Sequence, residues 1–406
     1  MKTNCRTLLL ELAQESIASV RGDRLVSAAA SRGPDWPVLD VLAIGKAAPA
    51  MLAGAKDAFG SRLQRGLLIT RQDHILSSWR DVERIEVLTA GHPIPTQASL
   101  VAGETLLGWL PGSTNPLLVL LSGGASSLVE VPVPGVTLDV LQHANRWLLG
   151  SGLDIHRMNA VRKRLSRIKG GQLLEYLGGR ATQVWMISDV RGDDPAVIGS
   201  GLLYPDHTNE TDFPALPATI KEFLSPAQPN AVSPESIPEH RVLANLQTAC
   251  AALVKAVGER GLSIQVHDTE LDGDTAETGR QLAEILREAS PGLHLWAGET
   301  TVELPENPGR GGRNQQLALA AAMTLEGRRD CYLLALATDG SDGSSDDAGA
   351  LVDGGSVARG ELAGLDAGAS LRAADAGTFH EGSGDLISTG PTGTNVRDIV
   401  IAMKIA

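Results

Sequence analysis

The sequence predicts an α/β protein built from two α/β domains. Three observations support this fold class: short apolar runs alternate with segments of helical periodicity, the chain has 406 residues, and prolines concentrate in one central segment. Alternating strands and helices are typical of a parallel sheet covered by helices on both faces. Because a single hydrophobic core stops growing well below this length, we expect two separate cores.

The N-terminal part predicts a Rossmann-like, doubly wound and mostly parallel sheet. A first amphipathic helix carries apolar residues such as Leu9 and Ile17 on one face. Thr96 and Thr137 are typical residues to open two later helices, and a basic helical stretch follows at about 154–177. The strands expected between the helices lie at 38–45, 66–70, 85–92, 116–124 and 184–190.

The centre of the chain contains the expected linker, since seven of the 21 prolines fall between Pro205 and Pro238. We therefore predict an N-terminal domain at 1–236 and a C-terminal domain at 237–406. The second domain alternates again. Its expected helices lie at about 241–260, at 274–289 and after Arg313, and its strands lie in SIQVH, LHLWAG, CYLLALATDG and VRDIVIAMKI.

Composition excludes several classes of partner. Lys and Arg number 35 against 48 Asp and Glu, which gives a formal net charge of −13. Such a surface repels phosphodiester chains and anionic lipid, so we expect no nucleic acid and no membrane as partners. No apolar run is long enough to span a bilayer and no signal-peptide core precedes Glu11, so we expect a cytoplasmic protein.

Ligands of open α/β sheets bind outside the carboxyl ends of strands, where this chain has several glycine-rich loops. One of them, SGGASS at 122–127, has two glycines that let amide N–H groups converge and three serines that add donors. This composition suits a carboxylate or a phosphate. A tight turn whose glycines serve only close packing is the alternative.

Lys46 follows Gly45 at the end of another expected strand, so its ammonium is expected near the same crevice. A solvated surface lysine is the alternative. The loop is not a Walker loop, because Ala47 replaces the Ser or Thr that would hold magnesium. His92, at a third strand end, either lines the crevice or shapes a turn.

The loop GRGGRNQQ at 309–316 places Arg310 and Arg313 among three glycines, with Asn314 able to cap the following helix. A guanidinium among the amides of a helix N-terminus favours anion binding. A flexible loop with solvated arginines is the alternative.

Aspartates cluster in two loops. Asp189 and Asp193 belong to SDVRGDDP, and Asp339 and Asp342 belong to ATDGSDGSSDD. Oxygen ligands on short loops suit Mg²⁺, which takes one or two carboxylates together with phosphate oxygens and waters. Some of the aspartates in these loops are expected to be helix caps.

One basic segment interrupts the acidic chain, HRMNAVRKRLSRIKGGQ at 156–172. At helical spacing Arg162 and Lys169 share a face, and Asn159 lies within one turn of Arg162. Part of this segment can therefore serve an anionic ligand, while the remaining cations are solvated.

Together these loops favour phosphoryl transfer, in which catalysis depends on positioning and charge neutralisation. A hydride-transferring enzyme is the competing class, but the chain has no Gly-x-Gly-x-x-Gly fingerprint. A non-catalytic sensor of phosphates or sugar acids would have little use for two aspartate clusters.

The motif series LLSGGASSL, MNAVRKRLSRIKGGQL, ISDVRGDDPAVIGSG, GGRNQQLAL, ATDGSDG and STGPTGTNV resembles that of type-2 glycerate kinases, whose C-terminal part is the MOFRL domain. The resemblance spans nearly the whole chain. It implies phosphorylation of D-glycerate by ATP at the 2-hydroxyl, giving 2-phosphoglycerate, with a divalent cation such as Mg²⁺ and an active site between two α/β domains.

The resemblance also implies site residues. Lys46 and Arg313 match the family's catalytic cations, and the metal or base candidates are the four aspartates named above. A monomer or a homodimer is expected. The candidate substrate- and nucleotide-binding residues are Ser122, Gly123, Gly124, Ala125, Ser126, Ser127, Asn159, Arg162, Lys169, Glu299, Gly311, Gly312 and Asn314.

Two departures from the family pattern put substrate detail in question: Leu202 follows Gly201 where the family has proline, and Arg397–Asp398 replaces an Asn-Asp pair. Because family members have also been called hydroxypyruvate reductases, reduction with NADH or NADPH is the alternative function.

Overall fold

The computed structural model describes residues 5–75, 79, 82–205, 213, 216–224, 236–343 and 345–406. By their internal contacts, the residues form two compact units. The N-terminal unit contains Arg21–Asn245 and Gly393–Asn395. The C-terminal unit contains the chain up to Val20, Leu246–Thr392 and Val396–Ala406. Most of the proline-rich linker predicted at 205–238 lies outside the described residues.

The N-terminal unit contains a six-stranded sheet in which every neighbouring pair of strands is parallel. The strand order is β3-β2-β1-β4-β5-β6, which confirms the predicted doubly wound sheet. The strands are β1 (Leu39–Ile44), β2 (Leu63–Arg71), β3 (Ile85–Ala90), β4 (Leu117–Leu121), β5 (Thr182–Ile187) and β6 (Glu239–Ala244).

Helices connect these strands, and two begin where the sequence predicts. Thr96 and Ser99 form a reciprocal capping box at the start of α4, and the Thr137 side chain accepts the Val140 N–H at the start of α6. The first eight helices are α1 (Cys5–Ser19), α2 (Gly22–Ala30), α3 (Ala48–Phe59), α4 (Gln97–Trp109), α5 (Ala125–Leu128), α6 (Leu138–Gly150), α7 (Ile155–Arg164) and α8 (Ala218–Lys221).

The C-terminal unit contains a second six-stranded sheet, of order β11-β10-β9-β12-β8-β7. Only β7 and β8 pair in parallel, and the other pairs are antiparallel. The last strand of the chain therefore lies in the middle of this sheet. The strands are β7 (Ile264–Val266), β8 (Gly292–Gly298), β9 (Cys331–Ala337), β10 (Gly349–Asp353), β11 (Leu386–Ile387) and β12 (Asp398–Lys404).

The helix predicted at about 241–260 begins only at Leu246, because residues 239–244 pair with β5 as a strand. The remaining helices are α9 (Leu246–Glu259), α10 (Thr275–Glu288), α11 (Arg313–Thr324), α12 (Ser356–Leu362), α13 (Ala367–Arg372) and α14 (Ala376–Ser383). None of the helices in the described segments is long and apolar enough to cross a membrane.

The first helix packs within the C-terminal unit. The apolar face of α1, with Leu9 and Ile17, is buried in one core with α9, β9 and β12. The predicted domain limits, 1–236 and 237–406, place α1 in the N-terminal domain and β6 in the C-terminal domain. In the structure α1 belongs to the C-terminal unit and β6 belongs to the N-terminal unit. Neither the apolar face of a helix nor a short strand shows in sequence which sheet it will join.

The core of the C-terminal unit predicts a clear stability contrast. Phe379 on α14 is fully buried, and its ring packs against Gly360 of α12. We expect Phe379→Ala to lower the free energy of unfolding of this unit by about 3–5 kcal/mol, because it removes apolar burial and leaves a cavity. Denaturant unfolding followed by tryptophan fluorescence measures the loss.

Leu362→Ala is the matched control, since Leu362 ends α12 with 89% of its surface exposed. Its effect is expected to stay within about 0.5 kcal/mol. Similar losses in both variants would contradict the described core.

Candidate active site

The switch point of the N-terminal sheet lies between β1 and β4, where the strand order changes direction. Ligand crevices of doubly wound sheets form at such points. Lys46 follows β1, and the glycine-rich turn SGGASS (122–127) follows β4, so both lie at this point. The Lys46 N–H donates to the Gly123 carbonyl over 2.9 Å, and the Ala47 N–H donates to Ser122 Oγ over 3.0 Å. The two loops are therefore held together by backbone donors.

The glycines of the turn have defined structural tasks. A Cβ on Gly123 would lie 1.8 Å from Asp189 Oδ2. Asn395 belongs to the short segment Gly393–Asn395 of the same unit. It donates its Nδ2–H to the same Asp189 oxygen over 2.9 Å. Gly123 is thus required because the Asp189 carboxylate closely approaches the turn.

Gly124 has a left-handed backbone with φ 85° and precedes the short helix α5. A Cβ on Gly124 would lie 3.1 Å from His92 Cδ2 and 3.3 Å from Lys46 Cγ. The side chains of His92 and Lys46 therefore lie on the same side of the turn. This arrangement favours the interpretation that His92 lines the crevice.

The serines of the turn bond mainly to the chain itself. Ser127 Oγ donates to the Gly124 carbonyl over 3.2 Å, and Ser126 Oγ lies 2.7 Å from Ser200 Oγ. Ser200 in turn donates to Asn159 Oδ1 over 2.9 Å. Asn159 and Ala125 are buried. The hydroxyls expected to serve a ligand thus first stabilise the turn.

The basic segment departs from the predicted geometry. Helix α7 ends at Arg164, so Lys169 does not share a helix face with Arg162 as predicted. Gly170 and Gly171, which follow Lys169, both have a left-handed backbone. Lys169 is nonetheless buried and donates to the Glu130 carboxylate. Burial lowers the pKa of Lys169, and the Glu130 charge opposes this shift.

Asp193, the second aspartate of its loop, has a positive φ of 55° and accepts a hydrogen bond from Asn245 Nδ2 over 2.5 Å. Asn245 follows β6, so this bond connects the ends of β5 and β6. Each of Asp189 and Asp193 therefore has one carboxylate oxygen engaged by an asparagine amide.

In the C-terminal unit, Arg313 begins α11 and is held by two carboxylates. Its Nε and Nη2 donate to Asp398 over 2.5 and 3.1 Å, and its Nη1 lies 2.7 Å from Glu299 Oε1. Burial alone would lower the pKa of Arg313, but Asp398 and Glu299 hold it well above its usual value. Arg313 is therefore a fixed cation, and its plane is set by Asp398.

Asp342 caps α11 from another loop. Its carboxylate accepts the backbone N–H groups of Asn314 over 3.1 Å and Gln315 over 2.8 Å, and also the Asn314 side chain over 3.3 Å. The prediction that Asn314 caps the helix is wrong, because the N-cap position is Gly312 and Asp342 supplies the acceptor. These helix amides are thus occupied by a carboxylate of the chain itself.

Gly312 explains how Asp342 reaches the helix, since a Cβ on Gly312 would lie 2.4 Å from Asp342 Cγ. Gly311 has φ 145° in the same loop. Burial, together with the Asp398 charge, raises the pKa of Asp342 to about 7, against the effect of its N–H donors and Arg313.

The remaining predicted site residues are placed as follows. Asp339 is buried, and its Oδ1 accepts the Ser341 N–H over 3.0 Å. Glu299 is exposed at the end of β8. Within the described segments, no group of three or more His, Cys, Asp or Glu side chains is arranged to hold a metal ion.

Several residues that organise the site escaped sequence reasoning, namely Glu130, Ser200, Asn395 and the role of Asp398. Asp398 and Glu130 are acidic residues inside apolar stretches, a pattern that signals a paired buried charge. Ser200 has no such signal, because its importance comes from its positive φ of 58° and its two side-chain partners.

A parallel sheet with a lysine at its switch point, and a second unit with a carboxylate-bound arginine, favour the class of enzymes that act on anionic small molecules. Residues 8–232 match the family described as a domain of unknown function, DUF4147, and residues 292–398 match the MOFRL family.

A D-glycerate 2-kinase from Thermotoga maritima is 34% identical, with 98% of each chain covered. A protein from Agrobacterium vitis that carries the name hydroxypyruvate reductase is 37% identical over 88% of this chain and 85% of its own. The crystal structure of the Thermotoga maritima glycerate kinase superposes with a TM-score of 0.82 at 32% identity, covering 98% of this chain and 99% of that one. The chain belongs to the MOFRL-containing family of type-2 glycerate kinases, and by class it is a kinase.

The raised pKa of Asp342 predicts a pH-dependent contribution to stability. Between about pH 4 and pH 7 the folded protein retains a proton on Asp342 that the unfolded chain has lost. The contribution of Asp342 to the free energy of unfolding is therefore largest at the acidic end of this window and falls as pH rises through 7.

We expect wild type to lose stability relative to Asp342→Asn between pH 5 and pH 7, by up to about 1.4 kcal/mol per pH unit. Denaturant unfolding of both proteins at several pH values measures this difference in the free energy of unfolding. The contributions of titrating groups that do not interact with Asp342 cancel in it. A difference that stays constant with pH would contradict the assignment.

Proposed function

We propose that this protein transfers the γ-phosphoryl group of ATP to the 2-hydroxyl of D-glycerate, giving 2-phosphoglycerate, with a divalent cation such as Mg²⁺. The observation that carries the proposal is the match, along nearly the whole chain, to a protein named D-glycerate 2-kinase. The placement of Lys46 beside a glycine-rich turn at a sheet switch point supports it, because phosphoryl transfer needs fixed positive charge there.

Lys46 is assigned to neutralising charge on the transferred phosphoryl group. Its backbone is fixed by the Gly123 carbonyl, and its own carbonyl lies 3.1 Å from His74 Nδ1. Pro49 at the start of α3 fixes the direction of the helix that follows. A preorganised cation stabilises developing charge without reorganisation at the moment of reaction.

Arg313 is assigned the same kind of task from the C-terminal unit. Asp398 engages one edge of its guanidinium, while Glu299 is the exposed partner. We propose that Asp398 stays bound and orients Arg313, and that Glu299 is the carboxylate exchanged for a phosphate oxygen. Glu299 is more exposed to water than Asp398, so its pair with Arg313 is the weaker of the two and the easier to exchange.

The divalent cation is best matched by Asp189 and Asp193. Carboxylate oxygens are hard donors that suit Mg²⁺, and Asp189 and Asp193 both lie in the loop that follows β5. Asp342 fits poorly, because three N–H donors and burial disfavour further coordination. A bound cation would supply charge neutralisation of the phosphates, and Asn395 and Asn245 would orient the two carboxylates.

The function is tested by offering two substrate pairs to the purified protein. One reaction contains D-glycerate, ATP and MgCl₂, and the other contains hydroxypyruvate with NADH or NADPH. We expect ADP formation in the first, loss of that activity with excess EDTA, and no oxidation of the nicotinamide in the second. Nicotinamide oxidation without ADP formation would establish the reductase alternative suggested by the name of the Agrobacterium vitis relative.

Lys46→Ala is expected to lower kcat by at least about a hundredfold, the usual effect of removing one preorganised donor to the transition state. Lys56→Ala is the matched control, because Lys56 lies exposed in the last turn of α3, the helix that begins shortly after Lys46. Steady-state kinetics with D-glycerate and ATP measure both. Equal activities of the two variants would reject the role of Lys46.

Asp398→Asn is expected to lower kcat by about tenfold to a hundredfold, because Arg313 loses the charge that fixes its plane. If Asp398 acts only through Arg313, the double variant with Arg313→Ala will be no slower than Arg313→Ala alone. Multiplied effects in the double variant would show an independent role for Asp398.

A further inference from the structure

A buried charge cluster lies beside the glycine-rich turn in the N-terminal unit. Lys169 and Glu130 are 1% and 2% exposed, and Lys169 Nζ donates to Glu130 Oε2. The other oxygen, Glu130 Oε1, accepts the Val131 N–H over 3.1 Å. Both oxygens of this carboxylate are therefore engaged, and Glu130 is satisfied by the chain itself.

Arg162 adds a second cation to this pair. The charges acting on Lys169 are those of Glu130 and Arg162, and the charge acting on Arg162 is that of Glu130. Burial lowers the pKa of both cations, while Glu130 opposes the shift. Lys169, Arg162 and Glu130 together carry a net charge of +1, which a single bound anion would neutralise.

The orientation of Arg162 is fixed from one side. Its Nε donates to Asn145 Oδ1 over 3.1 Å, and Asn145 Nδ2 donates to the Leu141 carbonyl over 2.9 Å. Among the described residues, the guanidinium makes no other hydrogen bond. Its terminal nitrogens are thus left to a planar, two-oxygen partner, which a guanidinium binds through two parallel hydrogen bonds.

Both cation-bearing segments are tied to the glycine-rich turn through Ser200. Ser200 Oγ bonds to Asn159, one helical turn before Arg162, and to Ser126 of the turn. The Ser200 carbonyl accepts the N–H of Gly170, the residue after Lys169, over 3.0 Å. The positive charge is therefore held at a fixed position relative to the turn at the switch point.

We propose that Arg162 binds the carboxylate of the hydroxyacid acceptor, and that the Lys169–Glu130 pair sets the single positive charge that selects a monoanionic group. This inference rests on the proposed function and deepens it, because it assigns the acceptor subsite to the N-terminal unit. A nucleotide triphosphate carries several charges and is a poor match to one net charge. Neutral alcohols such as glycerol lack the group that Arg162 would recognise.

Arg162→Gln tests the proposal against Arg146→Gln, a matched change on the exposed side of the neighbouring helix α6. We expect Arg162→Gln to raise KM for D-glycerate at least about tenfold, the scale of a lost hydrogen bond to a charged group. KM for ATP is expected to stay within about twofold. A raised KM for ATP with an unchanged KM for D-glycerate would overturn the proposal and assign Arg162 to the nucleotide.

Arg162→Lys keeps the positive charge and serves as a second variant, so that the test does not depend on Arg162→Gln alone being correctly folded. We expect its KM for D-glycerate to fall between those of wild type and Arg162→Gln, since lysine keeps the attraction but loses the planar fork. A wild-type KM in Arg162→Lys together with a wild-type KM in Arg162→Gln would remove Arg162 from the subsite.

Calorimetry of D-glycerate binding without ATP separates this inference from the proposed function. If wild type binds D-glycerate and Arg162→Gln does not, the carboxylate subsite stands even where no phosphoryl transfer is detected. Equal binding of D-glycerate by both proteins, or binding of glycerol as strong as that of D-glycerate, would overturn the proposed carboxylate subsite. The kinase activity itself is tested separately, by the assay with D-glycerate, ATP and MgCl₂.

Discussion

Burying a charged side chain costs free energy, and this cost is the constraint on which the described sites depend. An isolated buried charge is so costly that each must find a partner within the fold. Lys169 is buried against Glu130, and Arg313 is held by Asp398. Asp342 instead caps a helix and carries a raised pKa. These pairings hold the cations at fixed positions, and a fixed cation can stabilise developing negative charge without moving.

The glycine-rich loops follow from the same constraint. Gly123 leaves room for the Asp189 carboxylate, and Gly312 leaves room for Asp342. Our sequence interpretation treated these glycines as nests whose amides bind a ligand. The structure shows that carboxylates of the chain itself approach the two glycines, so their first task is to let charged loops pack closely. Ligand binding is a second role that we propose for the turn, in addition to this packing.

Much of the fold was predictable, because local signals decide it. Apolar runs marked the parallel strands, and Thr96 and Thr137 marked two helix starts. Long-range pairings were not predictable, since the acceptor that caps α11 comes from Asp342 in a separate loop. Lys169 was assigned to a helix face by spacing alone, whereas the chain turns after Arg164. Glycine loops singled out Lys46 and Arg313 as candidates, and their roles stay a proposal. Glu130 and Ser200 act through tertiary contacts without a local motif.

The central claim is that Lys46 after β1 and the carboxylate-bound Arg313 serve phosphoryl transfer to the 2-hydroxyl of glycerate. The most direct measurement is the proton-coupled ³¹P spectrum of the product formed from D-glycerate, ATP and MgCl₂. The account predicts a phosphomonoester doublet, because phosphorus at the 2-position couples to a single carbon-bound proton. A triplet, which shows phosphorus next to the CH₂ group, would contradict transfer to the 2-hydroxyl, and the absence of any new phosphomonoester would contradict the kinase itself.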